Sequence, residues 1–487
     1  MTTNNILSSF TGAVSSKDLI HESTQVVDLS FNTRNKDYIL KRIQFWKEFI
    51  IQHQLSSIMV MQHTTIDSIA IIFACAEEGV SIQTSEITKS SFELNSQTVD
   101  MVFLGLTYAP WVLNSNDTVD DALKDKKLFF LDEKNIDQLF AKKIYEYTPK
   151  IIDLNKILIC GSTSGTTGPN KQIKHTNRTF IQATKMAGHL FVPGDTFVSH
   201  SGVNHIGFLA VTMISPMLVG TKLFTINHFH EILVLATRGI FTKIALYESN
   251  LIHFDKIFET IGIHRNCLKN TVVLTAGGPV STKFMDRVFI TMGAKEIISF
   301  YGCNETLAPF FVLHIPDNNF DIYKAGIGEP VPHMDYKIKD SNLWIKSPSL
   351  SSFVNVDKDG YYNTTDIVAD CGGTIHYLGR GKILTTIGEI FGGELKKQLQ
   401  YSLVDDLYFS EYFLECQLEN NVNKIVLYAL TNVAYDILNK SLGNMNKHIT
   451  EFFNGGAVEF SIIDARDYYT SNAIGGKINP NAVKGNR

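Results

Sequence analysis

No CxxC pair occurs in this sequence. Its six cysteines, Cys75, Cys160, Cys267, Cys303, Cys371 and Cys416, stand far apart, which leaves a zinc or dithiol redox centre without its usual ligand spacing. A basic excess is also lacking. The 44 Lys and Arg against 49 Asp and Glu give a formal net charge of −5, and a general nucleic-acid binder needs a cationic face. There is no long hydrophobic run: the most apolar stretch, Ile69 to Ala76, stops at Glu77 and Glu78, far short of the roughly 20 residues that span a bilayer. The N-terminus, MTTNNILSSFTGAV, has neither a basic start nor a long apolar segment. No secretory signal is read in it, and a reducing cytoplasm is the expected location. Internal repeats, low-complexity tracts and Pro- or Ser-rich linkers are absent as well.

What is present is ordinary globular composition, 44% hydrophobic and 19% charged, over 487 residues. Such a length exceeds what one core serves, so two or more structural units are expected. Apolar residues at helical spacing (Ile39, Ile43, Phe45, Trp46, Phe49) predict a helix over Asp37 to Gln54. A strand at Ser57 to Gln62 and a helix through Ala76 follow, and this alternation predicts a parallel α/β sheet. Further short strands are read at 156–160 (KILIC), 271–274 (TVVL) and 297–300 (IISF), each running into glycine or polar residues. Ligands bind beyond the carboxyl ends of parallel strands, so three polar loops stand where a ligand site would lie. Residues 336–350 predict a hairpin turning at Asp340, Ser341 and Asn342, and 357–380 predict small antiparallel strands.

The loop after KILIC carries the strongest chemical signal. Ser162, Thr163, Ser164, Gly165, Thr166, Thr167 and Gly168 are followed by Lys171. Small residues let backbone amides approach an anion, hydroxyls add donors, and lysine adds charge. Together these describe a phosphate cradle, although a plain Ser/Thr/Gly surface loop has the same composition. It is not a Walker P-loop, since no GK[ST] follows the glycines.

This loop resembles the phosphate-binding signature of the adenylate-forming (AMP-binding) superfamily: acyl-CoA synthetases, peptide-synthetase adenylation domains and luciferases. Ser164 to Gly168 and Lys171 match it, with Pro169 and Asn170 in swapped order, and His175 in KHTN fits the polar helix start that follows. Further segments are similar to the family's in the same order. They are LTAGGPVS (274–281), YGCNE (301–305, with Asn304 for threonine), GIGEPVP (326–332), LWIKSP (343–348), YNTTD (362–366, with Thr365 for glycine), Gly379-Arg380, and GGKIN with Lys477.

The resemblance implies an α/β fold, a large multi-sheet domain over 1–380 with a small mobile α+β domain over 381–487. It implies ATP-dependent activation of a carboxylic acid to acyl-AMP and pyrophosphate, then transfer to a thiol such as CoA. Thr163 to Gly168 with Lys171 would hold the β- and γ-phosphates. Gly278, Pro279 and Tyr301 would flank adenine, with Gly302, Cys303 and Asn304 in the same nucleotide-binding stretch. Glu305 would bind Mg²⁺, as hard oxygen ligands suit that ion, and Asp366 and Arg380 would grip the ribose. Lys477 would neutralise charge gathered during adenylation, and His205 would stand beside the acyl pocket. Lys382 would be the hinge that lets one small domain serve two half-reactions, and Gly388 would lie beside the acceptor channel. Each position has a plainer competing role: surface carboxylate, loop ion pair, core tyrosine, structural histidine or solvated terminal lysine.

Within this reading, loading of a carrier protein or other nucleophile competes with CoA. No carrier domain is expected, because the chain ends ten residues after Lys477. The segment EIFGGEL after Gly388 departs from the family by an apparent two-residue deletion and bears on the acceptor. A nucleotide-binding regulator without turnover is the alternative of another class, and a kinase lacks its metal and base motifs. Phe229 is followed by His230, where peptide-synthetase domains place Asp, so an aryl, fatty or other non-amino acid is the expected substrate.

Overall fold

The computed structural model describes residues 13–84, 98–106, 127–162, 172–199, 202–203, 206–226, 229–247, 266–278, 280–379, 382–385, 388–391, 409–419, 422–431, 450, 453, 457–464, 469–470 and 477–478. The chain opens with an antiparallel pair, β1 (Gln25–Val27) and β2 (Thr33–Asn35). Helix α1 (Lys36–Gln52) begins where the Asn35 side chain accepts the Tyr38 N–H, an N-cap. Its buried Ile39, Ile43, Trp46 and Ile50 form the inward stripe that the helical spacing predicts. β3 (Ser57–Met61) is buried at all five positions, as a parallel strand covered on both faces should be. Helix α2 (Ile66–Glu78) extends past the apolar run at both ends: Thr65 and Ser68 exchange capping hydrogen bonds ahead of it, and Gly79, at φ 71°, closes it with its N–H on the Cys75 carbonyl.

β4 (Ser81–Gln83), β5 (Met101–Gly105), β6 (Lys127–Leu131), helix α3 (Glu133–Phe140), β7 (Ile157–Ser162) and β8 (Gln172–Thr176) complete the first unit. The six-stranded sheet runs β6-β5-β3-β4-β7-β8. Every pair in it is parallel except the terminal β7–β8 pair.

After helix α4 (Asn177–Ala187) come β9 (Thr196–Val198), β10 (Lys222–Phe224), β11 (Lys243–Ala245), β12 (Val272–Ala276), β13 (Glu296–Gly302), β14 (Pro309–Ile315) and β15 (Glu329–Pro330). They join the first two strands in a nine-stranded sheet of order β15-β14-β13-β12-β11-β9-β10-β1-β2. Its middle strands, β13 through β1, pair in parallel, and β14 turns back antiparallel on β13.

A four-stranded antiparallel sheet follows: β16 (Asp335–Lys339), β17 (Asn342–Lys346), β18 (Tyr362–Cys371) and β19 (Thr374–Gly379). Asp340 and Ser341 link the first two strands with φ of 52° and 60°, and Gly372 and Gly373 link the last two with φ of 70° and 93°. Two consecutive positive φ values match a tight turn to the right-handed twist of a hairpin.

Past residue 380, β20 (Lys382–Thr385) and β21 (Gly388–Phe391) form a hairpin, with Lys382 paired to Phe391 and Gly388 to Thr385. β22 (Phe409–Glu419), β23 (Val422–Thr431) and β24 (Val458–Asp464) form a mixed sheet. β25 (Tyr469–Thr470) and β26 (Lys477–Ile478) form a short antiparallel ladder. The fold is the mixed α/β class that the sequence predicts, with several sheets in a large N-terminal part and a small C-terminal part. Among the described residues, no helix is long and apolar enough to cross a membrane.

A third hydrophobic cluster, separate from the two that fill the large sheets, decides where the site forms. Phe310, Phe311, Leu343, Ile345, Val368 and Ile375 are buried between β14 and the four-stranded sheet, and Tyr301, Cys303 and Tyr362 pack against them. Truncating either phenylalanine would cost about 3–5 kcal/mol. This packing holds the YGCNE and YNTTD segments against each other.

Candidate active site

The phosphate-loop residues Thr163 to Gly168 and Lys171 lie outside the described residues, as do His205, Pro279 and Arg380. The loop's two anchors are described. Ser162 ends β7, Gln172 opens β8, and their backbones pair. Two positions before His175 on β8, Ile173 is a buried core residue, and His175 itself is fully buried. Its Nε2 donates to the Asn304 carbonyl at 2.8 Å, while Nδ1 stands 3.3 Å from Thr179 Oγ1. Burial lowers the imidazole pKa from 6.5 to about 4, with the Asn304 carbonyl opposing. A neutral ring therefore ties the phosphate-loop hairpin to YGCNE across 129 residues of sequence. Ser351 adds two ties: its N–H donates to the Glu305 carbonyl at 2.8 Å and its hydroxyl to the Lys174 carbonyl at 2.6 Å.

β12 and β13 are parallel neighbours, with Ala276 opposite Phe300, so Gly277 and Gly278 leave one strand beside Tyr301 on the other. Gly277 has φ of 91°, a conformation open to glycine. β13 runs into a tight turn in which the Thr306 and Leu307 N–H groups both donate to the Cys303 carbonyl at 3.2 Å. A Cβ on Gly302 would stand 2.7 Å from the Ala308 carbonyl oxygen, so only glycine fits. Asn304 and Glu305 sit on this turn.

The YNTTD segment delivers its carboxylate from an irregular start of β18. Thr364 Oγ1 donates to the Leu343 carbonyl at 2.8 Å and accepts the Asp366 N–H at 3.2 Å, while the Thr365 N–H donates to Asn363 Oδ1 at 2.8 Å. Thr365 keeps a left-handed backbone, φ 63°, although it is β-branched and pays for that conformation. The substitution for glycine changed the side chain and left the backbone conformation.

Two tyrosines cross between the two segments. The Tyr301 hydroxyl donates to buried Asp366, and burial followed by the neighbouring carboxylate pushes the phenol pKa far up. The Tyr362 hydroxyl donates to Glu305 Oε1 at 3.0 Å. Burial, and then the Glu305 charge, push the Cys303 thiol well above its usual range, so it stays neutral and unreactive. The structure thus brings together Tyr301, Gly302, Cys303, Asn304, Glu305 and Asp366, with Gly278 on the adjacent strand end. No group of three or more His, Cys, Asp and Glu gathers among the described residues. Glu305 offers a carboxylate, the hard oxygen donor that Mg²⁺ takes.

The backbones of Lys382, Gly388 and Lys477 lie in short paired strands. Lys477 opens β26 opposite Thr470. Sequence reasoning missed Tyr362 and Ser351 as site residues and took His175 only as part of a helix start. One signal was available: a tyrosine stands four residues before the carboxylate in both segments, Tyr301 before Glu305 and Tyr362 before Asp366.

Residues 52–350 match the model of the AMP-binding enzyme family. That span includes Glu305 and stops before Asp366, Arg380, Lys382 and Lys477. No curated protein matches this chain. Among solved structures the chain is similar to an anthranilate CoA ligase, AuaEII, in complex with anthranoyl-AMP, with 12% identity, TM-score 0.76, and 100% of this chain and 99% of that one covered. It is similar to a benzoate CoA ligase from Burkholderia xenovorans LB400, with 12% identity, TM-score 0.72 and 99% of each chain covered. It is also similar to McyG A-PCP complexed with phenylalanyl-adenylate, with 13% identity, TM-score 0.74, and 100% of this chain and 83% of that one covered.

Proposed function

This chain belongs to the AMP-binding enzyme family, and from that premise we propose that it activates a carboxylic acid with ATP and passes the acyl group to a thiol such as CoA. The observation that carries the reading is the meeting of Tyr301 and Glu305, at the carboxyl end of parallel strand β13, with Asp366 of the antiparallel sheet, cross-linked to the β7–β8 pair through His175.

In the first half-reaction a substrate carboxylate oxygen attacks the α-phosphorus of ATP. The bond from that phosphorus to the bridging oxygen breaks, and pyrophosphate leaves. Negative charge gathers at the α-phosphate, so fixed donors and cations lower the barrier. Thr163 to Gly168 and Lys171 hold the departing phosphates. Gly278, Pro279 and Tyr301 flank the adenine, and Asp366 with Arg380 holds the ribose hydroxyls. Glu305 would hold Mg²⁺, which would supply charge neutralisation at the phosphates. Lys477 stands at the α-phosphate and carboxylate oxygens, and His205 borders the acyl pocket.

In the second half-reaction the acceptor sulfur attacks the acyl carbonyl and AMP leaves. Residues 381–487 act as the small domain that turns about Lys382 between the two steps, with Gly388 beside the acceptor. A non-amino acid is the proposed substrate class, on the strength of His230 after Phe229.

A screen of carboxylic acids for pyrophosphate release in Mg²⁺, with and without CoA, tests this. Acid-dependent release is expected, with thioester forming only in the presence of CoA. ATP binding without turnover over a wide panel would refute the enzyme reading. Acyl-AMP without thioester would move the acceptor to a carrier protein or other nucleophile.

A further inference from the structure

Resting on that reading, we infer that Tyr362 is a positioning residue for Glu305, one half of a crossed clasp in which each segment's tyrosine holds the other segment's carboxylate. Tyr301 lies near the end of β13, just ahead of the turn that carries Glu305, and Tyr362 and Asp366 lie on β18, yet the hydrogen bonds run Tyr301 to Asp366 and Tyr362 to Glu305.

A carboxylate on an exposed turn rotates freely, and freezing it for a metal costs entropy at the moment of binding. Here one oxygen of Glu305 accepts from a phenol at 3.0 Å, which limits the rotation of the carboxylate. The Glu305 carbonyl is fastened as well, by the Ser351 N–H at 2.8 Å. Tyr362 itself is held because it packs against the third cluster. The clasp makes one rigid part of two segments separated by more than 50 residues of chain. It sets the metal-holding and ribose-holding carboxylates at a constant distance before nucleotide arrives. Outer hydrogen bonds of this kind change metal affinity by about 10–100-fold when removed.

The crossing makes the test specific. ATP binding is measured by calorimetry over a Mg²⁺ titration, and AMP binding is measured separately in EDTA. Tyr362→Phe, which keeps the ring in the core, is expected to raise the Mg²⁺ midpoint for ATP binding about tenfold and to leave AMP binding in EDTA unchanged. Tyr301→Phe, just ahead of the turn that carries Glu305, is expected to weaken AMP binding severalfold and leave the Mg²⁺ midpoint in place. Glu305→Gln identifies the midpoint as that residue's. If Glu305→Gln moves the midpoint and Tyr362→Phe does not, the clasp is overturned while the functional reading stands. If both tyrosine variants shift both measurements equally, Tyr362 serves general packing and the clasp is again overturned. If the midpoint ignores Glu305→Gln, or the wild type binds neither nucleotide, the functional reading fails and takes the clasp with it.

Discussion

Replacing His175 with glutamine should make the protein less stable at neutral pH and more stable in mild acid, with the two pH profiles crossing. The folded ring is neutral: its pKa is lowered from 6.5 to about 4, chiefly by burial, with the Asn304 carbonyl pulling the other way. A depressed pKa in the folded state means stability that is complete above pH 6.5. It is lost as pH falls through about 4, because the unfolded chain takes up a proton that the folded chain refuses. At about 1.4 kcal/mol per unit, the loss is about 2 kcal/mol by pH 5 and about 3 kcal/mol by pH 4. Glutamine does not titrate. Its amide donates to Asn304 less well than the ring and packs less tightly, a cost of about 1–2 kcal/mol that is independent of pH. The variant should therefore start about 1–2 kcal/mol lower at pH 7.5 and draw level near pH 5. Urea midpoints at unit steps from pH 7.5 to 4.5, without nucleotide, measure this. Titrating carboxylates affect both proteins alike and cancel in the difference. Parallel profiles with a constant offset would refute a neutral buried His175.

Thr365→Gly should stabilise the protein by about 0.5–1 kcal/mol, because relief of the left-handed strain outweighs the entropy of the glycine; a loss of about 1 kcal/mol in the urea midpoint would mean an ordinary backbone there. Glu133 titrates with the opposite sign to His175: burial first, then the Asp67, Asp28 and Asp137 charges, raise its pKa from 4.5 to about 8, so its contribution is complete below pH 4.5 and disappears as pH rises through 8. Glu133→Gln should therefore gain on wild type between pH 4.5 and 8 in the same urea series, and a difference that is flat across this window would contradict the burial of a protonated acid. Lys477→Ala should slow acid-dependent pyrophosphate release roughly a hundredfold or more with ATP binding little changed; a near-normal rate would make Lys477 a solvated tail residue.

The sequence by itself determined the short-range features. The runs at 156–160, 271–274 and 297–300 became β7, β12 and β13, each a residue or two longer or shifted. The turn at Asp340-Ser341 and the antiparallel character of 357–380 followed from turn residues close in the chain. These elements depend on side-chain period and backbone preference over a few residues, which a sequence displays directly. Glu305 and Asp366 were named from the order of short segments on which the resemblance rests.

Tertiary structure decided everything that joins distant segments. β1 lies beside β10 in the nine-stranded sheet, and β9 separates β10 from β11, an order that comes from total burial and that no local pattern encodes. The contact of His175 with Asn304, the left-handed backbone at Thr365, and the choice of Tyr362 for Glu305 and Tyr301 for Asp366 have the same origin. A hydroxyl can donate to either of two carboxylates equally well in principle. The packing of Phe310, Phe311, Leu343, Ile345, Val368 and Ile375 between β14 and the four-stranded sheet sets the two segments in the one relation where the donors cross.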